Sequence, residues 1–334
     1  MVILFATISA KSQPQNFTVV LSNIPSSIRG LSVVDDNVVW FSGSKGFVGR
    51  SLDGGLTWKH NPIKGFEKVD FRSLYAFDSL RAIVANAGSP ASILLTRDGG
   101  KSWQQVYHND HADIFLDGID FWDSKSGLIY GDPINQKMTL LKTNDGGETW
   151  KEISEPNRPT SEKGEASFAA SGTGIRCFDK KKVVVATGGM VSRLWMSDDR
   201  GESWTSLSTP IIQGKASAGI FSFGLSGNQW VIVGGDYVAD SVSTRNVFYS
   251  FDNGKEWNTP ERPTRGYRSS VEFIKGKTWI ATGQRGLDIS NDQGKNWLPF
   301  SDEMGVHVVR RARKGTKVVA AGNGKIALIK LNEK

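Results

Sequence analysis

Hydrophobic and polar positions in this chain form short runs that turn residues separate. Residues 115–121, 126–130 and 138–141 are one set of such runs, each alternating or continuously apolar over a few positions. Gly, Asn, Asp and Ser fall between the runs, where they favour turns. Runs of this length and spacing predict short β-strands joined by tight turns rather than helices.

Each set of predicted strands leads into the same octapeptide, of the form Ser/Thr-x-Asp-x-Gly-x-x-Trp. Its six copies span residues 51–58, 96–103, 143–150, 197–204, 250–257 and 290–297. Successive closing tryptophans are 40 to 54 residues apart, which fits one four-stranded sheet per repeat. The sequence therefore predicts an all-β protein, a β-propeller built from four-stranded antiparallel blades.

The residue types of the octapeptide are those of a hairpin turn. Its Asp side chain accepts hydrogen bonds from nearby backbone amides, and its Gly adopts the positive φ that other residues resist. The closing Trp is expected to pack between neighbouring sheets. We therefore interpret the six aspartates as structural, although they resemble a row of catalytic carboxylates. They are Asp53, Asp98, Asp145, Asp199, Asp252 and Asp292.

We expect seven blades, although only six carry the octapeptide. After the sixth copy the chain continues with strand-like runs at 306–309, 317–322 and 325–330, and then lacks a fourth strand. The run at 17–22 has no blade of its own. If it pairs as the outer strand of blade seven, the ring closes and two exposed strand edges disappear. Residues 14–334 are thus expected to form a single domain.

Charge and composition narrow the classes of partner. The 334 residues carry a net charge of +7, but the lysines are scattered among the repeats rather than concentrated. This distribution argues against nucleic-acid binding. No apolar stretch is long enough to span a membrane, and no ligand set for a metal or a cofactor stands out. We expect a monomer whose partner is a protein or another anionic ligand, including a glycan.

Residues 1–13 are similar to a secretory signal peptide. An apolar run ends in the small residues Ser9 and Ala10, and Lys11 follows it. The positively charged segment that usually precedes such a run is lacking. We expect export to the periplasm or the medium, with a plain first strand as the alternative.

The face opposite the octapeptide turns is the expected functional surface. The octapeptide turns all have one length, whereas long connections lie on the other face. Those connections are residues 157–167, 188–192, 235–245 and 260–267. Long loops gathered on one face commonly carry binding sites.

Aligning the starts of the innermost strands brings three arginines, Arg29, Arg72 and Arg268, to the mouth of the central channel. Arg262 and Arg265 lie in the loop just before the third of them. Converging guanidinium groups would bind a carboxylate or a phosphate. The alternative is that each arginine pairs with a nearby acid, such as Asp70, Asp117 or Glu165.

The repeated unit, ending in Thr-x-Asp-Gly-Gly-x-Thr-Trp, resembles the Asp-box or BNR repeat of the photosystem II stability/assembly factor-like family. The resemblance extends over residues 17–332. It implies an exported seven-bladed propeller that acts as an assembly factor and not as an enzyme. Some members present an arginine-rich patch, which Arg29, Arg72 and Arg268 would match. The repeats themselves imply nothing about photosynthesis.

A more distant resemblance is to the sialidases, which are Asp-box propellers of six blades. It implies a glycoside hydrolase at the same mouth, with the arginines on the sugar carboxylate and Tyr267, Glu165 and Asp117 as catalytic groups. Two features disagree with it. The expected blade count is seven, and the first strand contains Ser27-Ile28-Arg29 rather than an Arg-Ile-Pro signature. We keep glycoside hydrolysis as the alternative function.

Overall fold

The computed structural model describes residues 17–331, which fold into seven antiparallel sheets. The export signal expected within residues 1–13 lies outside the described residues, so it stays a prediction. Within the described part of the chain, no helix is long and apolar enough to cross a membrane. The first strand, β1 (Phe17–Leu21), belongs to the last blade.

Blades one to three each have four strands in chain order. Blade one comprises β2 (Ile28–Val33), β3 (Val39–Gly43), β4 (Phe47–Ser51) and β5 (Lys59–Pro62). Blade two comprises β6 (Ser73–Ala76), β7 (Ala82–Ala85), β8 (Ala91–Thr96) and β9 (Gln104–Asn109). Blade three comprises β10 (Leu116–Phe121), β11 (Gly127–Ile134), β12 (Lys137–Thr143) and β13 (Lys151–Glu152), and a 3-10 helix, Glu155–Asn157, follows it.

Blades four to seven complete the ring, with two short strands inserted. The inserted strands are β14 (Glu165–Ala166) and β17 (Gly188–Gly189). Blade four comprises β15 (Ile175–Phe178), β16 (Lys182–Ala186), β18 (Arg193–Ser197) and β19 (Thr205–Ser208).

Blade five contains β20 (Ala218–Ser226), β21 (Gln229–Asp236) and β22 (Val247–Ser250). Blade six comprises β23 (Ser270–Lys275), β24 (Thr278–Gly283), β25 (Gly286–Ser290) and β26 (Leu298–Ser301). Blade seven comprises β27 (Val306–Arg311), β28 (Val318–Gly322), β29 (Lys325–Ile329) and β1.

Blade five departs from the four-stranded pattern at both edges. Its outer strand is reduced to one bridge between Tyr249 and Asn258. On its inner edge, β14 pairs with β17, which in turn pairs with β20 through Gly188 and Gly219.

The ring closes as the sequence predicted. β1 pairs antiparallel with β29, placing Phe17 opposite Ile329. Val20 and Leu21 pack against the apolar cluster between blades one and seven. The innermost strands β2 and β27 are also in contact. The two ends of the described chain are therefore held in one blade, and the seven-bladed fold is confirmed.

Apolar layers between neighbouring blades make up the core. Each closing Trp of an octapeptide packs in the layer that joins its own blade to the preceding one, as expected. For example, Trp103 packs with Trp40 of blade one, and Trp297 packs in the layer that contains Val231 of blade five. These layers hold the blades at fixed positions around the channel.

The octapeptide aspartates make contacts that fix a turn. In the first copy, the Asp53 carboxylate accepts hydrogen bonds from the Thr57 amide at 2.9 Å and the Ser51 hydroxyl at 2.7 Å. The Gly55 amide donates to the Ser51 hydroxyl at 2.8 Å, and Gly55 has a φ of +91°. The hydrogen bond from the Thr57 hydroxyl, and then those from the Thr57 amide and the Ser51 hydroxyl, lower the pKa of Asp53 to about 2. The carboxylate therefore serves its own turn.

Candidate functional site

A pocket of about 460 Å³ lies at the mouth of the central channel. Its wall includes Arg29, Arg72, Phe168, Phe221 and Tyr267. The connection between β2 and β3 contacts the first octapeptide turn, because the Gly54 amide donates to the carbonyl oxygen of Asn37 in that connection. Arg29 lies at the other end of β2. The pocket is therefore on the face opposite those turns, which is the face of the long connections.

β-bulges direct side chains into this mouth. In β2, β20 and β27, the pairing with the second strand shifts by one residue near the strand start. The extra residue of a bulge is not part of the regular up-and-down alternation of the strand, so its side chain points in a different direction from those of its neighbours. Here the extra residues are Arg29, Phe221 and His307, and all three line the pocket.

Two arginines supply the positive charge of the mouth. Arg29 donates from Nη1 to the Ala170 carbonyl oxygen at 2.9 Å and pairs with no carboxylate among residues 17–331. Arg72 donates from Nε to the Asp70 carboxylate at 2.8 Å. Burial, and next the charge of Arg72, lower the pKa of Arg29. An anion between the two guanidinium groups would relieve that repulsion.

Aromatic rings form the wall beside the arginines. Phe168 stacks on Phe221, with ring centroids 3.9 Å apart and planes 9° from parallel. Tyr267 meets Phe221 edge-on, at 4.7 Å and 89°. Tyr237 touches the same ring from the rim and is 52% exposed. The pocket thus offers an apolar surface next to its charged one.

Burial shifts the pKa values of three further groups at the mouth toward their neutral forms. Burial, then the charge of Arg29, lower the pKa of His307 to about 4, so its imidazole is uncharged at neutral pH. Burial raises the pKa of Tyr267, and it also raises the pKa of the Asp132 carboxyl. Asp240 also lines the pocket, where it pairs with Arg285 at 2.7 Å.

Arg268 does not reach the mouth, in contrast to the alignment of strand starts. Its side chain is fully buried and donates from Nε to Asp288 Oδ2 at 2.9 Å. The reason is strand register. The Cα of Arg268 faces Gly283 of the second strand, just as the Cα of Ile28 faces Gly43 in blade one. Arg268 therefore occupies the apolar position that precedes the bulge, one residue earlier than Arg29.

The two other predicted arginines also lie away from the pocket. Arg265 pairs with Asp288 at 2.7 Å and with Asp302 at 2.5 Å. Arg262 bridges to Asn296, inside the octapeptide of blade six, and is exposed there. Of the five arginines, the structure brings together only Arg29 and Arg72, and Arg72 is itself paired with Asp70, as in the alternative given above. Arg265 and Arg268 pair with Asp288, and Arg262 lies apart from the pocket.

The candidate catalytic groups of the alternative function do not assemble at the mouth. Glu165 is buried and bonded to Arg193, at 2.6 Å from Nη2, and to the Thr187 hydroxyl. Asp117 is fully buried, and desolvation raises its pKa well above the ordinary value. Only Tyr267 lines the pocket, next to Arg29. Among residues 17–331, no group of three or more His, Cys, Asp or Glu side chains is arranged to hold a metal ion.

Sequence reasoning missed the aromatic wall. The alignment places Ala218 at the strand start and so overlooks Phe221, because the bulge between Ile220 and Ser222 moves the register. Phe168 follows the inserted strand β14, which no repeat predicts. The available signal was the long 157–167 connection, which does deliver Phe168 to the mouth.

Two family profiles match separate parts of the chain. Residues 9–111 match the family described as "Photosynthesis system II assembly factor YCF48". Residues 138–285 match "Sortilin, neurotensin receptor 3". No curated protein matches the chain.

Solved structures share the fold over nearly the whole chain. One of them, "YCF48 bound to D1 peptide", is 15% identical, with a TM-score of 0.68, covering 96% of this chain and 99% of that one. YCF48 from Cyanidioschyzon merolae is 14% identical, with a TM-score of 0.67, covering 94% and 98%. A GH74 xyloglucanase from Xanthomonas campestris is 13% identical, with a TM-score of 0.65, covering 94% of this chain but 53% of that one. The chain is thus a BNR-type seven-bladed propeller that resembles photosystem II assembly factors.

Proposed function

We propose that this protein is a non-enzymatic propeller that binds a protein partner and takes a peptide segment of it into the mouth pocket. One observation carries the proposal. Two arginines, Arg29 and Arg72, share a single pocket with the stacked rings of Phe168 and Phe221. Such a pocket is complementary to a carboxylate that has an apolar side chain beside it.

Each wall of the pocket is complementary to a different chemical group of the ligand. Guanidinium groups bind carboxylates through charge-assisted hydrogen bonds, which are stronger than neutral ones. Aromatic faces bury apolar side chains and are favoured at protein interfaces. The volume of about 460 Å³ accommodates a few side chains rather than a folded domain.

The rim of the pocket is apolar, which also suits a protein partner. Tyr237, Val238 and Val242 lie in the connection at the edge of the mouth and are 52%, 76% and 43% exposed. Exposed apolar side chains gathered at one place mark interaction surfaces. A partner larger than the pocket would cover this rim.

The structural comparison supports a peptide as the ligand class. In one of the similar solved structures, YCF48 is bound to D1 peptide. That protein shares the fold with this chain. A peptide is therefore a ligand class compatible with a propeller of this kind.

Site-specific photo-crosslinking tests the proposal. A photoreactive amino acid replaces Tyr237 at the mouth or, as the matched control, Leu56 on the octapeptide face, which is 61% exposed. Crosslinking in the native host, followed by mass spectrometry, should capture a specific protein from position 237 alone. The Arg29→Gln/Arg72→Gln double variant should lose that capture. Equal capture from position 56, or capture that the double variant retains, would count against the proposal.

A further inference from the structure

A second basic cluster lies at the opposite end of the central channel. Two adjoining cavities of about 170 and 180 Å³ are both lined by Arg176, Arg311 and Arg313, and Arg310 lines the first of them. In β27 the chain runs from His307 at the mouth to Arg310 and Arg311, so these two residues lie toward the octapeptide face. The cluster shares no residue with the mouth pocket.

The carboxylates in the cavity walls are too few to neutralise the four arginines. Glu272 and Asp120 are the acidic residues of the described chain in the cavity walls. Glu272 Oε2 lies 3.0 Å from Arg176 Nη2 and 3.9 Å from Arg310 Nη1, so one carboxylate serves two guanidinium groups. Asp120 accepts hydrogen bonds from the backbone amides of Cys177 and Phe121.

The other two arginines are bonded to neutral groups. Arg313 donates to the Ser32 hydroxyl at 2.9 Å and to the Ala76 carbonyl oxygen, and it stacks on the ring of Tyr75. Arg311 donates to the Gly315 carbonyl oxygen at 3.1 Å. Within residues 17–331, neither forms an ion pair with a carboxylate. Four cations thus face two acids.

This excess charge is partly shielded from water. The side chains of Arg176 and Arg310 are 15% and 19% exposed. Burial, and next the charge of Arg176, lower the pKa of Arg310 to about 9. Uncompensated charge in a partly dry cavity is unfavourable, and a bound anion offsets it.

We propose that this end of the channel binds a small tetrahedral oxyanion with two negative charges, of which inorganic phosphate is the model, through Arg176, Arg310, Arg311 and Arg313. Guanidinium groups match the geometry of phosphate oxygens and donate to two of them at once. The cavity volumes admit such an ion. This second site is independent of the peptide proposed for the mouth.

Ligand-dependent melting of the full chain tests the site. Phosphate and sulfate are titrated against chloride at constant ionic strength, and the melting temperature is followed with a calorimetric titration of phosphate. A ligand that binds only the folded state raises the melting temperature with concentration. We expect that rise in the wild type. Arg311→Gln, which removes a partly exposed side chain with a single backbone bond, should weaken phosphate binding roughly tenfold.

Controls separate this site from the mouth and from general charge effects. Arg97→Gln removes an exposed arginine outside the channel and should keep the phosphate response. Arg29→Gln/Arg72→Gln should keep it as well. Arg310→Gln should abolish it, and Arg310→Lys should restore part of it if the Gln variant folds. A wild type without the response, an unchanged response in Arg311→Gln, or a response lost only in the mouth variant would overturn the proposal.

Discussion

The guanidinium group of Arg268 and the carboxylate of Asp288 form a buried ion pair, with 0% and 1% of the two side chains exposed. The same carboxylate accepts hydrogen bonds from the backbone amide of Arg265 at 2.9 Å and from its Nε at 2.7 Å. Asp288 therefore ties the connection before blade six to the third strand of that blade. Two arginines that the sequence assigned to binding instead hold this connection in place.

Removing one member of this pair should destabilise the fold. Arg268→Gln removes the fully buried cation of this pair and leaves Arg265 as the remaining partner of Asp288. Breaking a buried pair in this way should cost about 3 kcal/mol. Urea unfolding measures the loss, and Asp288→Asn should give a similar one. The matched control is Arg285→Gln, because Arg285 is half-exposed in its pair with Asp240. That change should cost less than about 1 kcal/mol. Equal losses in the two arginine variants would contradict the buried-pair account.

The position of Arg268 shows where sequence reasoning reached its limit. The repeats and the ring closure depend on local patterns, because each octapeptide folds its own turn and each Trp packs in an adjacent layer. Which residue enters the channel depends on β-bulges, and a shift of one residue moves a side chain to the other face. The alignment placed Arg29 and Arg72 at the mouth, and both line the pocket. In blade six the alignment chose Arg268, which lies one residue before the position equivalent to Arg29. In blade five it chose Ala218, whereas Phe221, three residues later, enters the mouth.

His307 should make stability fall between about pH 6.5 and 4. Its folded pKa of about 4 lies below the ordinary 6.5, so the unfolded chain takes up a proton first as the pH decreases. Stability due to the neutral imidazole is present above pH 6.5, and its loss toward pH 4 is on the order of 3 kcal/mol. Chemical unfolding at several pH values measures this slope. His307→Gln, which retains a donor for Asn323, should flatten it; an identical slope in the variant would exclude His307 as the cause.

The octapeptide aspartates should govern a lower pH range. Hydrogen bonds lower the folded pKa values of Asp53, Asp98 and Asp199 to about 2, and for Asp199 they do so against the opposing effect of burial, which raises the pKa. Folded values below the unfolded ones give stability that is present above about pH 4 and is lost as the pH falls toward 2. Replacing these three residues with Asn should lower the melting temperature at pH 7 and flatten the acid transition.

Exposed aspartates outside the octapeptides provide the control for this test. The Asp110→Asn/Asp113→Asn/Asp179→Asn variant changes the net charge equally without touching an octapeptide turn. Its melting temperature and acid transition should stay near those of the wild type. If both triple variants behave alike, charge rather than turn chemistry explains the effect.

The closing strand β1 should be needed for a monodisperse ring. Leu21 packs against the layer between blades one and seven, whereas Val19 is 40% exposed. Because Leu21 is only partly buried, Leu21→Lys should lower the free energy of unfolding by about 1–2 kcal/mol. It should also promote aggregation, because release of β1 exposes the edge of β29. Val19→Lys is the matched control, with a change within about 0.5 kcal/mol. Light scattering and urea unfolding together test both effects.

The affinity of the mouth for short peptides tests the central claim most directly. Fluorescence anisotropy compares peptides that carry Asp or Glu beside Phe or Leu with matched peptides that carry Asn or Gln. The acidic set should bind the wild type more tightly than the amide set does, and it should bind Arg29→Gln/Arg72→Gln roughly tenfold more weakly than the wild type. Phe168→Ala should weaken both sets, because it removes part of the aromatic wall, while Arg97→Gln should change neither. If the acidic and amide peptides bind alike, or if the double arginine variant keeps wild-type affinity, the mouth is not the carboxylate-binding peptide site proposed here.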